Sequence, residues 1–280
     1  MRKWQRLGIN GIAMGSLLLF APVTTANAQV APPVATYADI ADLADSARVV
    51  VKAKVRKMAR VDPARAANVP PGRARHYMEA RTISLITAGA PIAANLRYLA
   101  DLPLDARGKP PKLKNATVLL FGHTVPGNAA ELQLVSPDAQ LPWSQHSESM
   151  LREILYELVA PDAPKAITGV REAIHVPGTL RGEGETQIFL ATSDGSAASL
   201  SIRHRPGEPP KWGVSFSEVT AELGNPPLPN TLTWYRLACF LPNRLPSGAN
   251  HSESRESRAQ AEADYRMVLG ELGECPRLRG

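Results

Sequence analysis

Histidine is the residue type in this sequence with the widest chemical range, because its imidazole titrates near neutral pH and binds transition metals. His175 and His204 fall in predicted strands of the C-terminal half, and Glu183 and Glu185 lie between them in the chain. A zinc site needs three or four converging ligands, and no two of the six histidines are close in the sequence. These four residues define one hypothesis, a metal-dependent or other hydrolase of the cell envelope. The alternative is a set of unconnected core and surface side chains.

Other catalytic motifs are incomplete or missing. The string GVSFS at 213–217 lacks the second glycine of a nucleophile elbow and lies inside a predicted strand. The sequence has no Walker A motif, no HExxH zinc motif and no dinucleotide fingerprint. The two glutamates named above lie in or beside a glycine-rich turn, where the burial that would separate their pKa values is not expected. We therefore predict no catalytic residue, no metal and no cofactor.

The two cysteines, Cys239 and Cys275, are predicted to form a disulfide. One lies in a predicted C-terminal helix and the other follows the last helix, so the bond would tie that helix to its domain. In the chain-entropy model, a loop of about 36 residues contributes about 3–4 kcal/mol to stability. The alternative is a reactive or metal-binding thiol. Two cysteines exclude a disulfide-dense scaffold and a four-cysteine zinc site.

Basic and apolar residues alternate in the segment 48–61, which is typical of a half-buried strand with a basic outer face. The next predicted strand places a cation close to an aromatic ring. Five side chains from these two strands are predicted to bind a ligand: Lys52, Lys54, Arg56, Arg75 and Tyr77. The alternative is an ordinary solvated charged face.

The first 28 residues are predicted to be a signal peptide. Three cations precede an apolar run at 7–23, and a small-residue cleavage motif ends at Ala28, so the mature chain would begin at Gln29. The alternative is a membrane anchor, but glycines and a proline interrupt the run, which falls short of the roughly 20 apolar residues of a span. No later segment reaches that length, so we do not predict an integral membrane protein.

Charge and export together limit the partners. The chain carries a formal charge of +6, half of it in the predicted signal peptide, and this weakens the case for nucleic acid as a partner. A periplasmic or secreted protein with a basic strand face is better suited to an anionic envelope glycan, a lipid or an acidic protein. The expected function is therefore a non-catalytic binding protein. An envelope assembly or scaffolding protein is a third hypothesis.

Periodicity predicts a first domain at 29–160. Helical spacing covers 37–47 and 145–159, and the fourth strand is apolar enough to be buried on both faces. A small barrel, closed or nearly so, would leave few exposed sheet edges. The five predicted strands cover residues 48–61, 75–87, 95–102, 117–122 and 131–135.

A proline-containing linker at 160–166 predicts the start of a second, smaller domain at 161–280. Turn signals separate four short strands, which indicates an antiparallel sheet. Two helices follow, at about 231–241 and 256–272. The predicted fold class is α+β, with a five-stranded barrel and flanking helices before this smaller domain.

The N-terminal half of the chain resembles a known kind of module. The helix ADLADSA, the basic first strand, the aromatic-bearing second strand and the strand VLLF follow one another over residues 37–140. This layout resembles exported bacterial proteins with an OB-like barrel of the netrin/TIMP type. The animal relatives inhibit metalloproteases through an N-terminal cysteine, and this chain has no cysteine before Cys239. The resemblance therefore implies a barrel, and a strand surface that in OB folds often holds oligonucleotides or oligosaccharides, but not protease inhibition.

Overall fold

The computed structural model describes Met1, residues 35–217 and residues 223–279. Except for Met1, the predicted signal peptide and its cleavage site lie outside the described residues. The first helix, α1 (Tyr37–Ser46), begins in a capping box in which the side chains of Thr36 and Asp39 each accept a hydrogen bond from the other's backbone N–H. Within the described part of the chain, no helix is both long and apolar enough to cross a membrane.

Five strands then form a closed barrel. They are β1 (Val49–Arg60), β2 (Arg73–Ala88), β3 (Asn95–Pro103), β4 (Thr117–Val125) and β5 (Asn128–Leu134). The order around the barrel is β1-β2-β3-β5-β4, and a pairing between β1 and β4 closes it. Every pairing is antiparallel except that of β3 with β5. The structure confirms the predicted barrel, and its form is compatible with an OB-like fold.

Strand alternation divides the barrel residues into an interior and an exterior set. The inward side chains of β1 and β4, among them Val51, Val55 and Leu120, form one buried cluster. The outward side chains Leu119 and Phe121 belong to a different cluster beneath the helices. Strand β4 is therefore buried on both faces, as its apolar run predicts.

Helices cover part of the barrel exterior. After β5 a short strand, β6 (Gln140–Pro142), pairs with β4. Helix α2 (Gln145–Leu158) follows, capped by Ser144. Its buried residues Leu151 and Ile154 pack in the same cluster as residues of α1.

The second sheet contains four antiparallel strands in the order β10-β9-β8-β7. Their bounds are β7 (Ile167–Pro177), β8 (Gly184–Thr192), β9 (Ser199–His204) and β10 (Lys211–Ser215). The described helices that follow are α3 (Leu232–Ala238) and α4 (Arg255–Leu272). Together with the barrel, they confirm the predicted α+β fold class.

One hydrophobic cluster contains residues from both sides of the predicted linker at 160–166. It includes Ile40 of α1, Ile188 of β8 and Tyr265 of α4, all fully buried. A hydrogen bond also joins α3 to α1, since the Tyr235 hydroxyl donates to Asp42 at 2.6 Å. The domain boundary at residue 160 stays a prediction.

The C-terminal tail returns to α1. Cys239 and Cys275 form the predicted disulfide. Beyond it, the Arg277 guanidinium lies 2.7 Å from the carboxylate of Asp42. The backbone N–H groups of Leu278 and Arg279 both donate to Asp39, at 3.1 Å. Because Asp39 is fully buried, the tail supplies donors that its carboxylate requires.

Candidate functional site

The outer face of the barrel on β2, β3 and β5 carries a groove of about 720 Å³. Tyr77 on β2 and Leu99 on β3 lie directly opposite each other in this groove, and Leu99 is 50% exposed. Arg75 and Arg97 line the groove on the same two strands. OB folds bind ligands on the face formed by their second and third strands. This groove is therefore the candidate binding site.

Arg75 is held in place by Asp101 on the neighbouring strand. Its Nε and Nη2 atoms donate to the two carboxylate oxygens at 2.8 and 2.9 Å. The Asp101 side chain is only 1% exposed, so the guanidinium is its counter-charge. Such a bidentate pair is rigid and specific in geometry. Arg75 thus shapes the groove wall, while much of its charge is neutralised.

Arg97 forms a more solvated pair. Its guanidinium lies 3.1 Å from the Glu131 carboxylate, and the two side chains are 47% and 44% exposed. Exposed ion pairs of this kind contribute little to stability. Arg97 is therefore accessible to an anionic group of a ligand, which would compete with Glu131 for it.

Some cations on the barrel exterior have no counter-charge among the described residues. Lys54 on β1 and Arg81 on β2 are cross-strand partners, and neither forms an ion pair with any described residue. Arg56 is the extra residue of a β-bulge between Val55 and Lys57, and it is exposed. Like charges directly opposite each other are unfavourable. An anion bound between Lys54 and Arg81 would relieve that repulsion.

Lys52 has a different environment from the other predicted basic residues. Its Nζ atom lies 3.0 Å from Glu148 of α2 and 3.8 Å from the centre of the Trp143 ring. Glu148 also accepts hydrogen bonds from the Trp143 indole and from Arg152. These hydrogen bonds lower the pKa of Glu148 to about 2, and the bond from Trp143 has the largest effect. Lys52 therefore helps to fasten α2 to the barrel.

The Glu148 cluster makes a prediction about acid stability. A carboxyl whose pKa is 4.5 when unfolded and about 2 when folded contributes about 3 kcal/mol above pH 4.5. That contribution is lost as the pH falls from about 4.5 to about 2, because the unfolded chain then binds the proton more tightly. When urea unfolding is measured between pH 6 and pH 2, the free energy of unfolding should fall less with decreasing pH for Glu148→Gln than for wild type.

The matched control for this experiment is Glu131→Gln, which removes a half-exposed carboxylate. It should follow the wild-type acid profile. Parallel profiles for the Glu148 variant and wild type would contradict the assignment.

The structure brings together only part of the predicted binding set. Arg75 and Tyr77 share the groove, while Lys54 and Arg56 lie on the neighbouring strand and Lys52 is engaged by α2. Arg97 and Leu99 were not among the residues predicted from the sequence. The sequence holds a signal for Arg97 only, because Asn95 and Arg97 alternate with apolar residues that are buried, whereas Leu99 is an apolar residue at an exposed position.

The residues of the hydrolase hypothesis divide between two places on the second sheet. His175 and His204 face α4, with their ring centres 6.1 Å apart. Glu185 lies on the opposite side of the sheet, beside Arg203 at 3.6 Å, because neighbouring residues of a strand alternate in direction. Glu183 accepts a hydrogen bond from the backbone N–H of Leu180 in the exposed β7–β8 turn.

A second groove, of about 800 Å³, lies at the β7–β8–β9 end of this sheet. Its lining combines apolar residues such as Ile174 and Phe189 with three residues of the hydrolase hypothesis, Glu183, Glu185 and His204. Among residues 35–217 and 223–279, no group of three histidine, cysteine or acidic side chains is arranged to hold a metal ion. The hydrolase alternative therefore stays a prediction without a convergent set of described side chains.

Comparison with known proteins adds no further constraint on the site. No protein-family model matches this chain, and a search of curated proteins finds no match to it.

Proposed function

We propose that this chain is an exported, non-catalytic binding protein that contacts an anionic polymer of the cell envelope through the outer face of its barrel. The contact surface comprises the groove between β2 and β3 and the adjacent basic part of β1. Envelope glycans carrying anionic groups fit this surface best, since sugars stack on aromatic rings and anions pair with cations.

The observation that carries the proposal is the cross-strand pair of Lys54 and Arg81, which has no counter-charge in the described part of the chain. Tyr77 lies on the same face of β2 and lines the groove. Between it and Arg81 lies Glu79, whose carboxylate is 3.5 Å from Lys57. Cations near an aromatic ring are the combination by which proteins bind single-stranded nucleic acids, and we infer that it serves an anionic glycan here in the same way. The neutralised Arg75 and the half-exposed Arg97 would orient the ligand rather than attract it.

The disulfide supports the exported compartment. Disulfides persist in oxidising compartments and are rare in the cytosol, and both cysteines of the chain are joined. The export signal itself rests on the sequence pattern of the first 28 residues.

The test is binding of the full mature chain to immobilised dextran sulfate, with neutral dextran as the blank. The double variant Lys54→Glu, Arg81→Glu should bind about tenfold more weakly, at roughly 0.7 kcal/mol for each reversed surface charge. The salt dependence of binding should also become shallower, because exposed charges are screened by salt.

The matched control reverses two exposed cations outside the barrel, Lys165 before β7 and Arg181 in the β7–β8 turn, and so makes the same change in net charge. This control should retain wild-type binding. Equal weakening in both double variants would show that net charge alone drives retention, and unchanged binding by the Lys54/Arg81 variant would remove the proposal. A parallel measurement with anionic phospholipid vesicles distinguishes a glycan-like polyanion from a lipid surface.

A further inference from the structure

A buried polar cluster joins the second sheet to α4. His204 Nε2 lies 2.9 Å from Asp264 Oδ1, and His175 Nδ1 lies 2.8 Å from the Thr186 hydroxyl. The Thr186 hydroxyl in turn donates to the other carboxylate oxygen of Asp264. Gln260 also donates to Asp264, at 2.8 Å. The side chains of His175 and Asp264 are 8% and 3% exposed, while His204 is 17% exposed and reaches the second groove.

The hydrogen bonds determine where the protons lie. A hydroxyl has one proton to donate, and Thr186 gives it to Asp264, so Nδ1 of His175 must be the donor to Thr186. An ionised carboxylate only accepts, so Nε2 of His204 is also a donor. Both rings can therefore be neutral with every hydrogen bond satisfied, and Asp264 supplies the single negative charge.

A glycine allows the His175 ring to occupy its position. A Cβ atom on residue 184 would lie 2.8 Å from Cε1 and 3.0 Å from Nε2 of that ring. Gly184 is also the register partner of His204 on β9. The Nε2 edge of His175 thus lies over the glycine backbone, and it has no hydrogen-bond partner among the described residues.

We propose that this cluster is an acid-sensitive latch, in which protonation of His175 loosens α4 from the second sheet. A proton can be added to His175 only at Nε2, the edge that lies over Gly184. The added charge is then buried beside a second imidazole, and one carboxylate faces both rings. Opening the helix–sheet contact exposes the cation to water and removes this penalty.

The groups around His175 set the direction of the effect. Burial lowers the pKa of His175. The charge of Asp264 on α4 acts to raise this pKa, and His204 on β9 acts to lower it further. Strand β8 contributes the neutral Thr186, and the segment before α4 contributes Ser252, whose hydroxyl accepts from the His175 backbone N–H. Beside Ser252, the Arg258 guanidinium donates hydrogen bonds to the backbone carbonyls of Ser252 and Glu253.

A lowered pKa gives the latch a definite pH window. The contact is at full strength above the ordinary histidine pKa of about 6.5 and weakens as the pH falls below it. When α4 is detached from the sheet, His175 has this ordinary pKa. The population of that open state then rises by up to about 30-fold at pH 5.

The experiment is amide hydrogen exchange of the full mature chain at pH 8 and pH 5, corrected for the intrinsic rate at each pH. The peptides covering Arg255–Leu272 should lose protection by up to about 30-fold in wild type. His175→Gln keeps an N–H donor for Thr186 but does not titrate, so its loss should be less than about threefold. His251→Gln, which removes an exposed histidine outside the cluster, should behave as wild type.

Equal losses of α4 protection in wild type and His175→Gln would overturn the proposal, as would full protection of wild-type α4 at pH 5. Should the glutamine variant fail to fold, an NMR titration of wild-type His175 decides the question. Titration at or above pH 6.5, or titration without accompanying changes in α4, would overturn the latch.

Discussion

Replacing Arg75 by methionine is expected to lower the free energy of unfolding by about 3–5 kcal/mol, the usual cost of leaving one charge of a buried pair without its partner. The Asp101 side chain is 1% exposed, and both of its oxygens accept from the Arg75 guanidinium. Methionine keeps the apolar length of the side chain but leaves the carboxylate without a counter-charge. Urea unfolding monitored by circular dichroism measures the change.

Two companion variants separate this effect from simple loss of a surface cation. Arg97→Met removes the arginine of the half-exposed pair with Glu131 and should change stability by no more than about 1 kcal/mol. The double variant Arg75→Met, Asp101→Asn removes both charges and should recover at least about 2 kcal/mol of the loss, because no charge is then buried alone. If Arg75→Met costs no more than Arg97→Met, Arg75 is an ordinary surface residue.

This result also bears on how binding variants are interpreted. Arg75 was predicted as a ligand-binding residue, yet its removal should weaken binding partly by destabilising the barrel wall. Lys54 has no such structural partner among the described residues. A loss of binding on reversing its charge is therefore the more direct evidence for an anionic ligand.

The barrel could be predicted from the sequence because alternation shows which side chains face inward on a strand. The predicted inward residues of β1, from Val49 to Val55, all belong to the interior cluster. The parallel pairing of β3 with β5 could not be predicted in this way. It joins Arg97 to Glu131, and no local pattern records which distant strands become neighbours.

The environment of Lys52 shows a second limit of the same reasoning. Period two assigns its side chain to the outside of the barrel, which is correct. It does not say what lies on that outside, and Glu148 is 96 positions away in the sequence. A basic face that seemed continuous is therefore interrupted where α2 packs against it.

In the second sheet, the strand register decides which side of the sheet each histidine faces. Residues 185 and 186 are neighbours in the sequence but point to opposite sides of β8. His175 pairs with Thr186, and this places it on the α4 side, away from Glu185. Once the pairing of β7 with β8 is known, the two histidines are separated from Glu185 on the other side of β8 and from Glu183 in the exposed turn.

Replacing both cysteines by serine is expected to lower the free energy of unfolding by about 4 kcal/mol, the chain-entropy value for a loop of this size. The bond joins residues 36 positions apart and holds the tail that reaches α1. Without it, the donors that Leu278 and Arg279 supply to the buried Asp39 are held only by the tail's own contacts. Denaturant unfolding of the double serine variant and of wild type under non-reducing conditions measures the difference.

Hydrogen exchange distinguishes local from global effects of this change. If the tail is the weak point, the amides of Leu278 and Arg279 should lose protection far more than those of the barrel strand β1, because local opening needs less free energy than global unfolding. Wild type treated with dithiothreitol should match the double variant in both measurements. A stability loss below about 1 kcal/mol would mean that the contacts of Arg277 and Arg279 with α1 and the barrel suffice to hold the tail, and that the bond adds little to them.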